Sequence, residues 1–263
     1  MIEAKVIKHS ISEAGKEIVS VEVIYPRYIH AELMTHRALS KNSSSSRAIP
    51  AIKIISQVFR TPVGFVFWGK NQSGMQAKEE LTGWRLALAK FAWYSCSKIS
   101  CILAYVAHFA GLHKQSVNRM LEPYSQIKVL ITATDWNNFY HLRCHEDAQP
   151  EINALATAIR DKVAKSKPKL IKKGEWHLPY VKSKSFDDVE TSAALCAQVS
   201  FRMFDKSPKK IKRIVDKLFR SQPVHASPSE HQATPLDDPT ERDANFTGWK
   251  QYRSMIQDNV KPG

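Results

Sequence analysis

Thr35-His36-Arg37-Ala38-Leu39-Ser40-Lys41-Asn42-Ser43-Ser44-Ser45-Ser46-Arg47 gathers two arginines, a histidine, an asparagine and five serines directly after an apolar run, Ile29, Ala31, Leu33 and Met34. The serines offer hydroxyls and successive backbone N–H groups, and Arg37 and Arg47 carry planar forks that grip phosphate bidentately. A helix over residues 28–39 delivering such a loop, closed by Pro50, makes an anion cradle. A serine-rich linker has the same composition, and composition does not separate the two.

Working outward, the 263-residue chain is long enough to bury a substantial core, and its 43% hydrophobic and 24% charged residues are those of a globular protein. The net charge of +14 points to an anionic partner: nucleic acid, an anionic membrane surface or a polyanionic small substrate. Four cysteines without a C-x-x-C pair argue against zinc. The opening residues are too polar for a signal peptide, and the apolar stretch Ile99–Leu112 is short and flanked by Lys98, His113 and Lys114. It reads as a buried helix and not a membrane span, so the expected setting is reducing and cytoplasmic, with no membrane partner. With nine glycines and neither G-x-G-x-x-G nor a P-loop pattern, phosphates would be held by arginine and serine side chains.

Alternating runs at 4–9 and 17–25 predict paired strands, the second ended by Pro26, and 126–134 predicts another strand. Residues 65–77 read as a loop. From Gln76 to about Phe109 apolar residues recur at helical spacing (Leu81, Trp84, Leu88, Phe91, Tyr94), which predicts a long helix or two stacked ones, with core aromatics, ended by Gly111. A short helix through Asn118 and Arg119 follows, to Pro123. Lys165–Lys173 reads as a basic linker. Residues 243–259 look ordered and partly apolar, with no function attached.

The opening stretch, written H-R-x-x-S-x-N-x-x-S-x-R, resembles the signature R-H-R-x-x-S-x-N-x-x-S-x-R of the flavin-dependent thymidylate synthases. His36, Arg37, Ser40, Asn42, Ser45 and Arg47 fall on it; Thr35, Ser43 and Ala48 depart from it. Asn118-Arg119…Glu122-Pro123 is similar to the family's A-R-x-x-L-P segment, and Leu142-Arg143…Gln149…Glu151 to its L-R…A-Q-x-E-I block. Asn71-Gln72-Ser73-Gly74-Met75-Gln76 is similar to a stretch of phage-type members. Two further blocks, Ala197-Gln198-Val199-Ser200-Phe201 and His225-Ala226-Ser227-Pro228-Ser229-Glu230-His231, resemble segments that precede the signature in ordinary members. Here they follow it. The economical reading is a circular permutation within a single domain, 1–263, with 185–235 as the displaced opening segment.

The resemblance covers most of residues 17–60, 110–155 and 190–235. It implies an α/β (α+β) fold with a central, mostly antiparallel sheet flanked by helices, assembled as a homotetramer with active sites between subunits. It implies C5 methylation of dUMP to dTMP, with methylenetetrahydrofolate as one-carbon donor, FAD as cofactor and NADPH as reductant. By the same resemblance Arg143 and Ser45 are catalytic, and Glu32, Ser45, Arg47, Arg119 and Arg143 bind substrate. His36, Arg37, Asn42, Asn138, Ser200, His225, Ser227 and Glu230 bind the cofactor; no metal is implied. Two alternatives stay open: one-carbon transfer to another pyrimidine nucleotide (dCMP or UMP), and a basic nucleic-acid-binding protein. Scattered lysines without a recognition-helix, RNP or zinc-finger pattern weigh against the second, so no nucleic-acid partner is expected.

Overall fold

The computed structural model describes residues 2–200, 205–222 and 224–256, with Ser200 described for its backbone alone. The fold is built on β-branched alternation. Strands β1 (Glu3–Ser12) and β2 (Glu17–Pro26) form an antiparallel hairpin. The chain then passes through the short helix α1 (His30–Met34), strand β3 (Ser40–Ser43) and helix α2 (Ala51–Arg60). Helices α3 (Gly83–Phe109) and α4 (Lys114–Val117) lead to strand β4 (Gln126–Ala133). Helices α5 (Asn137–Arg143) and α6 (Pro150–Ala164) precede β5 (Lys169–Ile171). The C-terminal part carries α7 (Val189–Ala197), α8 (Pro208–Phe219) and four short strands, β6 (Ala233–Pro235), β7 (Arg242–Asp243), β8 (Phe246–Thr247) and β9 (Trp249–Gln251).

The central sheet has the order β3-β4-β2-β1-β5, antiparallel except for the β1/β5 pair. This is the expected α/β architecture. One face carries Val19, Val21, Val23 and Tyr25 of β2 beside Ile127, Val129, Ile131 and Ala133 of β4, packed against α5 and α6 through Phe139, Ile152, Leu155 and Ile159. Each such buried side chain contributes about 1.5–3 kcal/mol relative to an exposed one.

The other face is polar, yet it is buried too. Ser20, Glu22, Leu130 and Thr132 alternate with the core valines and are covered by His177, Tyr180, Cys196, Val199 and His231. A line of hydrogen bonds crosses the strands there. Ser10 Oγ meets His177 Nδ1 at 2.9 Å, His177 Nε2 meets Ser20 Oγ at 2.9 Å, Ser20 Oγ meets Thr132 Oγ1 at 2.6 Å, and Thr132 Oγ1 meets His231 Nδ1 at 2.9 Å. Both histidines are fully buried, and burial pushes their pKa values down, that of His231 to about 3. Residues 243–256 are ordered, with Phe246 and Trp249 fully buried.

Three expectations are corrected. The helix before the signature stops at Met34, and Ser40–Ser43 form an edge strand on β4 and not a loop. The basic linker contains β5, which adds to the open edge of β1. The long helix α3 forms and ends before Gly111, whose φ of +89° suits glycine. Beyond Cys101 and Ala104, which pack on α2, most of its large apolar side chains are not core within one chain: Trp84 is 71% exposed, Phe91 69% and Phe109 86%, and Ile99, Ile102 and Leu103 are exposed as well. No helix among the described residues is long and apolar enough to cross a membrane.

Candidate active site

The signature starts in the turn after α1. There His36 is buried, its ring edge-on to Phe139 with centroids 4.9 Å apart. Arg143, the last residue of α5, donates from Nε to His36 Nε2 at 2.9 Å, and its Nη1 lies 3.7 Å from Glu32 Oε2 on α1. Burial, then Arg143, then Lys41 hold His36 down at a pKa of about 4. The imidazole is therefore neutral at pH 7 and accepts at Nε2, which puts its proton on Nδ1. Burial pushes the Glu32 carboxyl up, against the pull of Arg143. Lys41 Nζ donates to the His36 carbonyl. The packing of β2 against α5 and α6 thus joins three of the expected residues, Glu32, His36 and Arg143.

At its far end the signature turns through Ser46–Ala48, with Ser45 and Arg47 exposed. Arg47 and Arg119 line one cavity of about 530 Å³ with Gln115 and Ser116. Arg119 Nη1 donates to both carboxylate oxygens of Glu122 at 3.1 Å. Glu122 also pairs with Arg27 Nε at 3.1 Å and accepts from Ser46 Oγ at 3.3 Å. Asn118 Nδ2 donates to the carbonyls of Ser46 and Ile49, at 2.7 and 3.0 Å, tying the turn to its neighbour.

The polar side chains of β3 face the C-terminal segment. Asn42 Nδ2 donates to the Cys196 carbonyl at 2.8 Å. Ser40 Oγ accepts from Asn245 Nδ2 at 3.0 Å and from Gln251 Nε2 at 3.1 Å. Gln251 Nε2 also donates to the Glu230 carbonyl, and the Glu230 carboxylate lies 3.9 Å from Arg253 Nε. Burial pushes the Glu230 carboxyl up, with Arg253 and Lys41 pulling the other way.

Arg37, Asn138, His225 and Ser227 are exposed. Among the described residues no hydrogen bond or ion pair joins these four side chains to the other expected residues, and the Ser200 side chain lies outside what the structure describes. Sequence reasoning missed Lys41, Glu122, Asn245, Gln251 and Arg253. Glu122 sat inside a recognised block, but the partners of Ser40 lie some 205 and 211 positions away, beyond any local pattern.

The sequence profile of the family described as thymidylate synthase complementing protein matches residues 9–169, more than half of the chain, from the last residues of β1 to the first of β5. The chain belongs to that family. Its fold is that of a thymidylate synthase-like methyltransferase, and C5 methylation of a pyrimidine nucleotide is the family's general activity. Among solved structures the chain is similar to a UMP/dUMP methylase from Streptomyces cacaoi, crystallised with 5-bromo-UMP. The two are 13% identical with a TM-score of 0.49, over 63% of this chain and 89% of that one. No curated protein sequence matches the chain.

Proposed function

We propose that the chain converts dUMP to dTMP with methylenetetrahydrofolate as one-carbon donor, FAD as cofactor and NADPH as reductant. The observation that carries this reading is the fixed guanidinium of Arg143, held by neutral His36 at 2.9 Å on one side and by half-buried Glu32 on the other. Pyrimidine C5 becomes nucleophilic when negative charge accumulates on the ring, and a preorganised cation beside a ring carbonyl favours that charge. A neutral histidine orients the fork without competing for it. Nε is committed to His36, while among the described residues Nη2 has no hydrogen bond or ion pair to keep it from a ring carbonyl. Arg47 and Arg119, lining one cavity, suit the dianionic phosphate, and exposed Ser45 precedes Arg47 by two residues.

The donor set fits a flavin nucleotide without a glycine-rich loop. Arg37 is an exposed cation with no ion-pair partner among the described residues, suited to pyrophosphate. Asn138 and Ser227 offer exposed donors, and the half-buried Glu230 accepts from hydroxyls. His36 would stand at the flavin end of the signature, while Asn42 keeps its side-chain carbonyl free to accept. His225 supplies a further exposed ring. When bound, reduced FAD would supply the hydride that completes the methyl group.

The same reading takes 185–235 as the family's opening segment, displaced to the C-terminus. Two observations support it: the family match ends at 169, and the Cys196 carbonyl accepts from Asn42 of the signature strand, while Gln251 bridges Ser40 of that strand to the Glu230 carbonyl. Exposed Trp84, Leu88, Phe91, Ile102, Tyr105 and Phe109 along α3 support a homotetramer in which copies bury this helix. Four free cysteines support a reducing, cytoplasmic setting.

The test is to incubate purified, flavin-loaded protein with methylenetetrahydrofolate, NADPH and either dUMP, dCMP or UMP, and to identify products by mass spectrometry. Methylated dUMP is expected. Methylation of dCMP or UMP with dUMP inert would move the substrate to that nucleotide, and a colourless, inactive protein would end the flavin assignment.

A further inference from the structure

A second cavity, of about 630 Å³, lies at the other edge of the sheet. The sheet order puts β3 at one edge and β5 at the opposite one, four strand spacings or about 19 Å away. Strand β5 pairs with β1 only from Ser10 to Ser12, so β1 has no strand partner on that side from Val6 to His9. A register shift between Val6 and Lys8 marks a bulge there, which turns Ile7 and Lys8 to the same side. Ile7 and Val181 make an apolar floor, and five lysines, Lys8, Lys167, Lys169, Lys182 and Lys184, make the rim.

The charges do not cancel. Lys184 is paired with Glu175 at 2.9 Å, and Lys8 Nζ donates to the Val181 carbonyl at 3.0 Å. Among the described residues Lys167, Lys169 and Lys182 make no hydrogen bond or ion pair of their side chains. Burial, Lys169 and Lys184 all push the Lys8 pKa down, the mark of a cation facing other cations. A concave site of this size suits a small ligand. Glu17, paired with His9, and Glu175 flank it and would repel a long nucleic-acid backbone. Compact point charges on flexible stems are suited to phosphate oxygens, and three to four ammonium groups are neutralised only by a polyanion.

We propose that this cavity binds a polyphosphate-bearing small molecule, a nucleoside triphosphate or inorganic polyphosphate, on Lys8, Lys167, Lys169 and Lys182, apart from the site of methylation.

Titration calorimetry of the full-length protein with inorganic tripolyphosphate and with a nucleoside triphosphate, at low and at physiological salt, tests it. The variant is Lys167→Gln/Lys169→Gln/Lys182→Gln, three surface positions whose loss leaves the core intact. The control, Lys209→Gln/Lys212→Gln/Lys217→Gln on α8, removes equal charge elsewhere. Saturable binding of one ligand per chain is expected, weakened at least about tenfold in the first variant and unchanged in the control. Equal affinity for both ligands assigns recognition to the phosphates; tighter nucleotide binding adds the apolar floor. Absence of saturable binding, or equal loss in both variants, overturns the proposal. So does unchanged affinity with increased aggregation, which would make the lysines guards of an open edge. Duplex DNA bound as tightly and weakened equally by both variants overturns it in favour of diffuse attraction.

Discussion

Arg143→Ala separates catalysis from architecture. The substitution removes the 2.9 Å hydrogen bond to His36, worth about 1.5 kcal/mol for a charged donor, and the 3.7 Å pair with Glu32. The pair's side chains are 23% and 34% exposed, so it adds at most about 1 kcal/mol. Stability should therefore fall by about 2 kcal/mol, a shift in Tm of about 4–8 °C for a chain of this size. Turnover should fall by about 10²–10³, or about 3–4 kcal/mol, because the lost charge acts on the transition state. His36 does not confound the result: burial is the first cause of its low pKa, so it stays neutral at pH 7 without Arg143. Steady-state dTMP formation, flavin content and a melting curve on the same preparation are the measurements. A folded, flavin-loaded variant within about tenfold of parental turnover would refute the role.

Arg47→Ala and Arg119→Ala should each weaken dUMP binding about tenfold or more in a titration; parental affinity in both would move the phosphate out of their cavity. The Arg119 variant should lose less stability than its two contacts suggest, since Glu122 keeps Arg27. Acid should destabilise the fold. His36 and His231 have folded pKa values of about 4 and about 3, below the 6.5 of an unperturbed histidine, so the unfolded chain takes up protons first as pH falls. Stability drops from pH 6.5 downward, by a few kcal/mol in all, against a smaller opposite effect from the raised carboxyls Glu32 and Glu230. Urea midpoints at pH 7 and pH 5 check this, and an equal or higher midpoint at pH 5 contradicts it. On α3, Leu88→Asp/Ile102→Asp should dissociate the proposed tetramer in analytical ultracentrifugation while circular dichroism holds; an unchanged mass would place the interface elsewhere.

The sequence was most readable where one face of an element meets the core. Val19, Val21 and Val23, and Ile127, Val129 and Ile131, announce β2 and β4 because period-2 apolar residues have one place to go. Strand β3 carried no such signal: Ser40, Lys41, Asn42 and Ser43 are polar on both faces, and their structure comes from β4 and from residues over 150 positions away. The periodicity of α3 gave a helix but not its burial, since helical spacing does not say whether another element packs on Trp84 and Phe91, and within one chain none does among the described residues. At the site, the spacing of the signature and of the Arg143 block located residues that meet in space. It could not foresee that Asn42 would bond the Cys196 carbonyl, a tertiary fact.

While Ser20 and Thr132 both spend their protons within it, the hydrogen-bonded line from Ser10 to His231 has two self-consistent directions. Each hydroxyl gives one proton, and each neutral imidazole gives at one nitrogen and accepts at the other. Reversing one link reverses all four. A proton added to His231 makes Nδ1 a donor, so Thr132 must give to Ser20 and Ser20 to His177, whose Nε2 must then be bare. Charging both histidines therefore requires the Ser20 or Thr132 hydroxyl to turn its proton out of the line. Residues far apart in sequence, on β1 and in the turn at Ser227–His231, share one binary setting.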